Sequence, residues 1–287
     1  TFAHTVSLGW DVISDISGDG KETVYIATDG NGVHFLSHKD RKVVRRFFHD
    51  VNDKEGIRSN SIYSLLVDDR GAVWVGHFQA GLDYSLYQNG LFRTYAYLPQ
   101  FNSANLSIRS FVNRGPEKVI GSRDGLFYIN EATGIVKSFV KPVLTSDLIL
   151  TICFYEGEYY IGTYGGGMMV LNPQTLSLKY FTQGDTELFQ KGHIFCVKPD
   201  NRGNLWIGTS QGLFCYNGQT KQIKNFTSTN SQLPEGNVYE VSFDSTGKGW
   251  IATETGMCIY DPASQSLRSN VFPEGFVHKD KVRTIYE

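Results

Sequence analysis

Apolar positions along this chain gather into short runs that end in a small residue, pass through a polar turn and a glycine, and then resume. The clearest example is Leu205-Trp206-Ile207-Gly208-Thr209-Ser210-Gln211-Gly212-Leu213. Five relatives follow the same order around Val24-Tyr25-Ile26-Ala27, Val73-Trp74-Val75-Gly76, Val119-Ile120-Gly121, Tyr160-Ile161-Gly162 and Trp250-Ile251-Ala252. Apolar runs bounded by Gly, Asn and Asp read as strands joined by tight turns. No stretch shows a helical period of useful length.

Aligned on the small residue (Ala27, Gly76, Gly121, Gly162, Gly208, Ala252), successive copies lie 49, 45, 41, 46 and 44 residues apart. An all-strand repeat of about 45 residues is the mark of propeller blades. Each unit reads as four strands. The first covers Val12 to Ile16, Ile62 to Val67, Ile108 to Val112, Leu148 to Phe154, Ile194 to Val197 and Val238 to Phe243. The second carries the recurring motif and the third follows at once. The fourth, outer strand is Val43 to Phe47, Leu91 to Tyr95, Val136 to Phe139, Leu178 to Phe181 and Ile223 to Phe226. Between first and second strands, Asp68-Asp69-Arg70-Gly71, Asp200-Asn201-Arg202-Gly203 and Asp244-Ser245-Thr246-Gly247 suit a type I turn continued by a glycine of positive φ.

The expected blades are 9–48, 60–96, 106–140, 147–182, 192–227 and 237–272. Residues 281–287 match the first strand of a seventh, and Phe2 to Leu8 the outer strand of a preceding one. Closing the ring matters because an open one exposes strand edges. The pattern therefore favours one all-β domain over residues 1–287, a seven-bladed β-propeller of four-stranded antiparallel blades, with six blades as the alternative. Thr1 is not a natural start, so the chain is expected to be part of a longer one.

Charge narrows the function classes. The 27 basic and 29 acidic residues leave a net charge of -2, against a nucleic-acid partner. No apolar run approaches the roughly 20 residues of a membrane span. Cys153, Cys196, Cys215 and Cys258 form no CxxC and have no His at metal spacing. They are expected to be buried small hydrophobes, with no metal and no cofactor implied.

The three tryptophans at one motif position, Trp74, Trp206 and Trp250, are expected in the core, because a buried indole hides about 150–250 Å². The small residue after them suits close approach of a neighbouring blade. In a propeller, the turns between second and third strands and the connections into each first strand emerge on one face. There the residues vary while the frame holds, as on a scaffold carrying a grafted site. The candidate ligand-binding residues are Trp10 on a connection, and His77, Arg123, Tyr164, Gln211 and Glu254 in the turns. Tyr63, Arg109, Tyr239 and Arg283 join them, one step after the first apolar residue of a first strand. No catalytic residue is assigned. Gly-x-Ser-x-Gly is absent, and Gly165-Gly166-Gly167 has no following helix to make a phosphate cradle.

Ile194 to Leu213, with Val197, Asp200, Gly203, Leu205-Trp206-Ile207-Gly208-Thr209 and Gly212, resembles the two-component regulator propeller repeat. Units two and six are similar, with His77 for the Thr in one and Ala252 and Met257 for the Gly and Leu in the other. Units three and four lack the Trp and depart further. The resemblance implies the extracytoplasmic, periplasmic sensor portion of a hybrid two-component receptor in an inner membrane, without enzymatic activity of its own. It also implies an oligosaccharide signal, neighbouring propeller and β-sandwich domains in the same chain, and a homodimer in the full receptor. Two rivals are a sialidase-like propeller glycosidase and a protein-interaction propeller. The former's Ser-x-Asp-x-Gly-x-Thr-Trp box, and the latter's Gly-His and Trp-Asp signatures, do not recur here.

Overall fold

The computed structural model describes residues 8, 12–86, 91–95, 106–184, 186–269 and 281–286. Their strands form six four-stranded antiparallel sheets, each in simple sequential order. The chain divides into two compact units, Thr1–Arg109 with Tyr286, and Ser110–Ile285 with Glu287.

The first unit holds two blades. Blade 1 is β1 (Val12–Gly18), β2 (Thr23–Asp29), β3 (Val33–Ser37) and β4 (Lys42–Phe47). Blade 2 is β5 (Ile62–Val67), β6 (Val73–His77), β7 (Leu82–Ser85) and β8 (Arg93–Thr94). Blade 3 opens with β9 (Ile108–Arg114), which begins in the first unit, and continues with β10 (Glu117–Ser122), β11 (Gly125–Asn130) and β12 (Ile135–Phe139). The second unit completes that blade and adds three more. Blade 4 is β13 (Ile149–Tyr155), β14 (Glu158–Thr163), β15 (Met168–Leu171) and β16 (Leu178–Tyr180). Blade 5 is β17 (Ile194–Pro199), β18 (Asn204–Thr209), β19 (Gly212–Asn217) and β20 (Ile223–Phe226). Blade 6 is β21 (Val238–Phe243), β22 (Gly249–Thr253), β23 (Gly256–Asp261) and β24 (Ser266–Arg268).

The recurring motif supplies each second strand. β6 is buried along its whole length, and β18 along all but its first residue. Burial on both faces is what turns the expected alternation of a half-buried strand into a continuous apolar run. The cores lie between consecutive blades. One joins Tyr25 and Phe35 to Leu65 and Val75, another Leu126 and Tyr128 to Ile149 and Ile161, and another Trp206 and Leu213 to Val241 and Ile251. The small residue of the motif is where the next blade comes closest. A Cβ on Gly208 would lie 2.7 Å from Val238 O of the next blade, and one on Gly162 would lie 2.7 Å from Ile194 Cγ2.

Three expectations are corrected. Six blades, not seven, are present among the described residues. Residues 281–286 form no strand. In each blade the first strand is held by the second strand of its own blade, and 281–286 have no such partner among the described residues. The proposed outer strand from Phe2 falls outside the described residues, apart from Leu8. Residues 182–192, where no helical period was legible, contain a short helix, α1 (Thr186–Lys191), which buries Leu188 and Phe189. Finally, Trp74 and Trp206 are buried as expected, whereas Trp250 is partly exposed.

Candidate functional site

Two local devices fix the frame. In blades 2, 5 and 6 the turn aspartate binds the motif tryptophan. Trp74 Nε1–H donates to Asp68 Oδ2 at 3.1 Å, Trp206 to Asp200 at 2.9 Å and Trp250 to Asp244 at 3.2 Å. The other carboxylate oxygen caps the turn. Asp200 Oδ1 accepts from the N–H groups of Arg202 and Asn204 at 2.8 and 2.9 Å. The turn glycines take the expected left-handed conformation, φ being 80° at Gly71, 80° at Gly203 and 81° at Gly247. At the other end of the second strand, Thr28, Thr163, Thr209 and Thr253 are fully buried. Each hydroxyl donates to the carbonyl of the glycine closing the next turn, at 2.9 Å in all four.

Those second-to-third-strand turns are tied to the connections beside them. The N–H groups of Tyr164, Ser210 and Glu254 donate to the carbonyls of Leu148, His193 and Asn237, at 2.9, 3.2 and 2.9 Å. The face is therefore rigid at the backbone, while its side chains are free to differ.

A further device aims side chains onto that face. The pairing of first and second strands slips between Ile62 and Ser64, Ile149 and Thr151, Ile194 and Cys196, and Val238 and Glu240. Each slip leaves one residue out of the ladder: Tyr63, Leu150, Phe195 and Tyr239. A bulge of this kind bends the strand and re-aims the extra side chain.

In the second unit these features build an aromatic row. The rings of Tyr164 and His193 lie 4.0 Å apart at 30°. His193 is followed by Phe195 at 6.3 Å, and Phe195 meets Tyr239 edge to face at 5.2 Å. Tyr164 is 50 % exposed. At the far end Lys281 Nζ sits 4.6 Å from the centre of the Tyr239 ring. Asn237 Nδ2 donates to Tyr239 Oη at 3.1 Å and to Glu254 Oε2 at 3.0 Å. The result is a line of four rings with an amide, a carboxylate and an ammonium at one end. Its rings offer π faces to apolar C–H groups, and its polar end offers donors and acceptors to hydroxyls.

Of the residues expected from sequence, Tyr239 and Glu254 thus share Asn237 at one end of the row, and Tyr164 stands at the other. Arg283 is exposed two residues beyond Lys281, and Arg123 and Gln211 are exposed in the turns of blades 3 and 5. Tyr63 and Arg109 form a separate cluster in the first unit. There the Arg109 guanidinium lies 4.5 Å from the Tyr63 ring, and Tyr63 lies 5.2 Å from Phe78. His77 is fully buried, with Nε2 bound to Asp83 Oδ2 at 2.9 Å. Trp10 lies outside the described residues. His193 and Phe195 are additions that the sequence did not single out.

The remaining chemistry is sealed. All four cysteines are free, and burial pushes the thiols of Cys153, Cys215 and Cys258 up to about 12. Glu117 accepts from Tyr128 Oη at 2.7 Å and Tyr159 Oη at 2.8 Å, but both tyrosines are buried, which raises their hydroxyl pKa values. The first unit has a cavity of about 620 Å³ beside the first-to-second-strand turns of blades 1 and 2, among Asp19, Lys21, Asp69, Arg70 and Tyr286. It opens at the opposite blade ends from the bulge residues. Among the described residues no cluster of three or more His, Cys, Asp or Glu could hold a metal ion, and no helix is long and apolar enough to cross a membrane.

Residues 56–79 and 189–211, in the second and fifth blades, match the family model described as the two component regulator propeller. No protein of curated function matches the chain. The extracellular domain of a hybrid two component system of B. thetaiotaomicron, BT3049, superposes with a TM-score of 0.80 at 23 % identity, over 98 % of this chain and 38 % of that one. For the corresponding domain of BT4673 from the same organism the TM-score is 0.78 at 17 % identity, over 99 % of this chain and 37 % of that one. PorZ, a surface component of the type-IX secretion system of Porphyromonas gingivalis, gives 0.65 at 16 % identity, over 83 % of this chain and 37 % of that one. At these identities the likeness establishes the propeller fold. The chain spans under two-fifths of the length of each of these structures.

Proposed function

We propose that this chain, which carries two-component regulator propeller repeats in its second and fifth blades, is an extracytoplasmic sensor module of a hybrid two-component receptor. It recognises an oligosaccharide and passes the signal on without turning it over. The observation that carries the reading is the aromatic row of Tyr164, His193, Phe195 and Tyr239 on rigid turns and bulges. Pyranose rings present C–H faces bordered by hydroxyls, and a line of π faces ending in Asn237 and Glu254 is complementary to both. The extracytoplasmic placement rests on the solved relatives, which are described as extracellular domains of such systems. Their greater length supports neighbouring domains in the same chain, and we place the homodimer contacts of the receptor in those.

Binding rather than catalysis is favoured by the Glu117 site. A carboxylate bonded to a tyrosine hydroxyl is the arrangement a sialidase-type glycosidase would need, yet Tyr128 is 2 % and Tyr159 0 % exposed. That pairing acts as a clamp between blades 3 and 4. The test is titration of the purified chain with an oligosaccharide panel, reading heat and product together. Binding without product, abolished by Phe195→Ala with Tyr239→Ala, is expected. Released sugar would overturn the sensor reading in favour of an enzyme.

A further inference from the structure

Resting on the reading of the aromatic row as an oligosaccharide site, we infer that its ligand carries an anionic substituent, a carboxylate or a sulfate, at the end that meets Tyr239. Six cations in the second unit are matched by carboxylates: Arg114 with Glu117, Lys118 with Glu131, Lys179 with Glu158, Lys198 with Glu240, Lys221 with Glu156 and Arg268 with Asp261. Lys281 and Arg283 are outside these pairs, as are exposed cations such as Arg123, Lys141 and Arg202, but Lys281 stands at the aromatic row. Lys281 and Arg283 are both exposed, and among the described residues neither lies within ion-pair distance of a carboxylate.

These two cations are positioned by the fold. Val282, between them, donates its N–H to Thr253 O at 3.1 Å, fixing this segment beside the turn that carries Glu254. The Lys281 ammonium is drawn onto the π face of Tyr239, 4.6 Å from its centre, an attraction that does not consume its hydrogen-bond donors. Glu254 does not neutralise them. Its carboxylate is engaged by the backbone N–H and the side-chain amide of Asn237, at 3.4 and 3.0 Å. Among the described residues, the end of the row therefore sets the Lys281 ammonium beside one tethered carboxylate, with exposed Arg283 two residues on. An acidic group on the sugar pairs with Lys281 and Arg283 while Glu254 accepts a hydroxyl. A neutral glycan would leave both cations unused.

The experiment compares paired oligosaccharides by isothermal titration. Each uronate-containing oligosaccharide is set against its carboxyl-reduced form, and each sulfated one against its desulfated form. The pairs are run on the wild-type chain, on Lys281→Gln/Arg283→Gln and on Phe195→Ala. We expect one acidic member to bind roughly tenfold or more tightly than its neutral counterpart in low salt, with the gap narrowing as salt rises. The double glutamine variant should erase that gap without weakening the neutral form, and Phe195→Ala should weaken both forms. The uronate and sulfate arms separate the two sources of charge. Equal binding within every pair that binds, or a gap that survives in the double variant, overturns the anionic inference and leaves the glycan site standing. Binding of no pair, or binding untouched by Phe195→Ala, overturns the glycan reading and this inference with it.

Discussion

His77 Nε2 lies 2.9 Å from Asp83 Oδ2, with both side chains sealed from solvent, and Arg58 Nε completes the group at 2.8 Å from Asp83 Oδ1. In blades 1, 4, 5 and 6 the His77 position is a buried threonine bound to a turn glycine. In blades 4 and 5 the Asp83 position is Met169 or Phe214. The second blade has therefore exchanged a threonine and an apolar residue for a polar pair. His77→Ala leaves a buried carboxylate short of a partner and should cost about 2–3 kcal/mol. Exchanging both residues, His77→Thr with Asp83→Met, should cost less than His77→Ala alone, since Arg58 is 29 % exposed and can turn to water. Urea unfolding of the wild type, His77→Ala and the double variant measures the difference. A double variant less stable than His77→Ala would show that the pair does more than replace the common solution.

The same group sets an acid limit. Burial alone would raise the Asp83 pKa, but the hydrogen bond and charge of His77, followed by Arg58, more than offset it and hold the carboxyl below its usual range. Asp68 is also lowered. There too burial opposes the charged form, and the Trp74 indole and the N–H groups of Ala72 and Arg70 outweigh it. A carboxyl with a folded pKa below its unfolded value contributes stability that is fully present above the unfolded value. That stability is lost as pH falls through the folded one. The melting temperature should therefore drop below about pH 4, the ordinary aspartate range. Asp83→Asn should start lower at neutral pH and fall less steeply. Parallel curves for the two proteins would remove Asp83 as a cause.

The latch between Asp200 and Trp206 carries a separable cost. Asp200 receives four hydrogen bonds, from the N–H groups of Arg202 and Asn204, from Asn204 Nδ2 and from the indole. The Trp206 ring stacks at 5.8 Å on Phe226 and meets Tyr260 edge-on at 4.5 Å. Trp206→Ala should cost about 3–5 kcal/mol, as other large core truncations do. Trp206→Phe keeps most of the packing and should cost less. Asp200→Ala strands a buried indole N–H and several turn donors and should cost about 2–3 kcal/mol. Thermal unfolding of the three decides the order, and a Trp206→Ala protein that melts like the wild type would contradict the burial argument.

Much of this frame was legible in the sequence because each blade must solve the same packing problem. The Asp, Gly, Trp and small-residue positions recur for that reason, and β5 and β21 begin and end where the pattern placed them. The site was harder to read. Ile194-Phe195-Cys196-Val197 looks like an unbroken core strand, and the bulge that turns Phe195 outward leaves no mark in such a run. His77 sits in a turn position that is polar in every blade, so its burial behind Asp83 depends on a partner six residues away. The helix α1 is six residues long, too short for any period to declare itself. The seventh blade was inferred from two strand-like segments, 281–287 and Phe2 to Leu8, and a strand forms only where a partner is available to pair with it.

Blade 1 supplies the final test of how the latch works. Asp19 occupies the turn position of Asp68 and Asp200, and its Oδ1 accepts from the N–H groups of Lys21 and Thr23 at 2.9 and 3.2 Å. Six residues on, where the tryptophans stand, is Tyr25. Its ring is fully buried and packs 4.7 Å from Phe35, but among the described residues its hydroxyl has no hydrogen-bond partner. Burial, with the negative charge of Asp19 adding to it, pushes that hydroxyl up to about 12. A buried hydroxyl without a partner costs free energy rather than supplying it. Tyr25→Phe should therefore leave stability unchanged or raise it by up to about 1 kcal/mol, whereas Tyr25→Ala should cost about 3–5 kcal/mol through the lost ring. Urea midpoints of the two variants check this. A Tyr25→Phe protein clearly less stable than the wild type would mean that the hydroxyl is satisfied in solution, and blade 1 would then share the latch in another form.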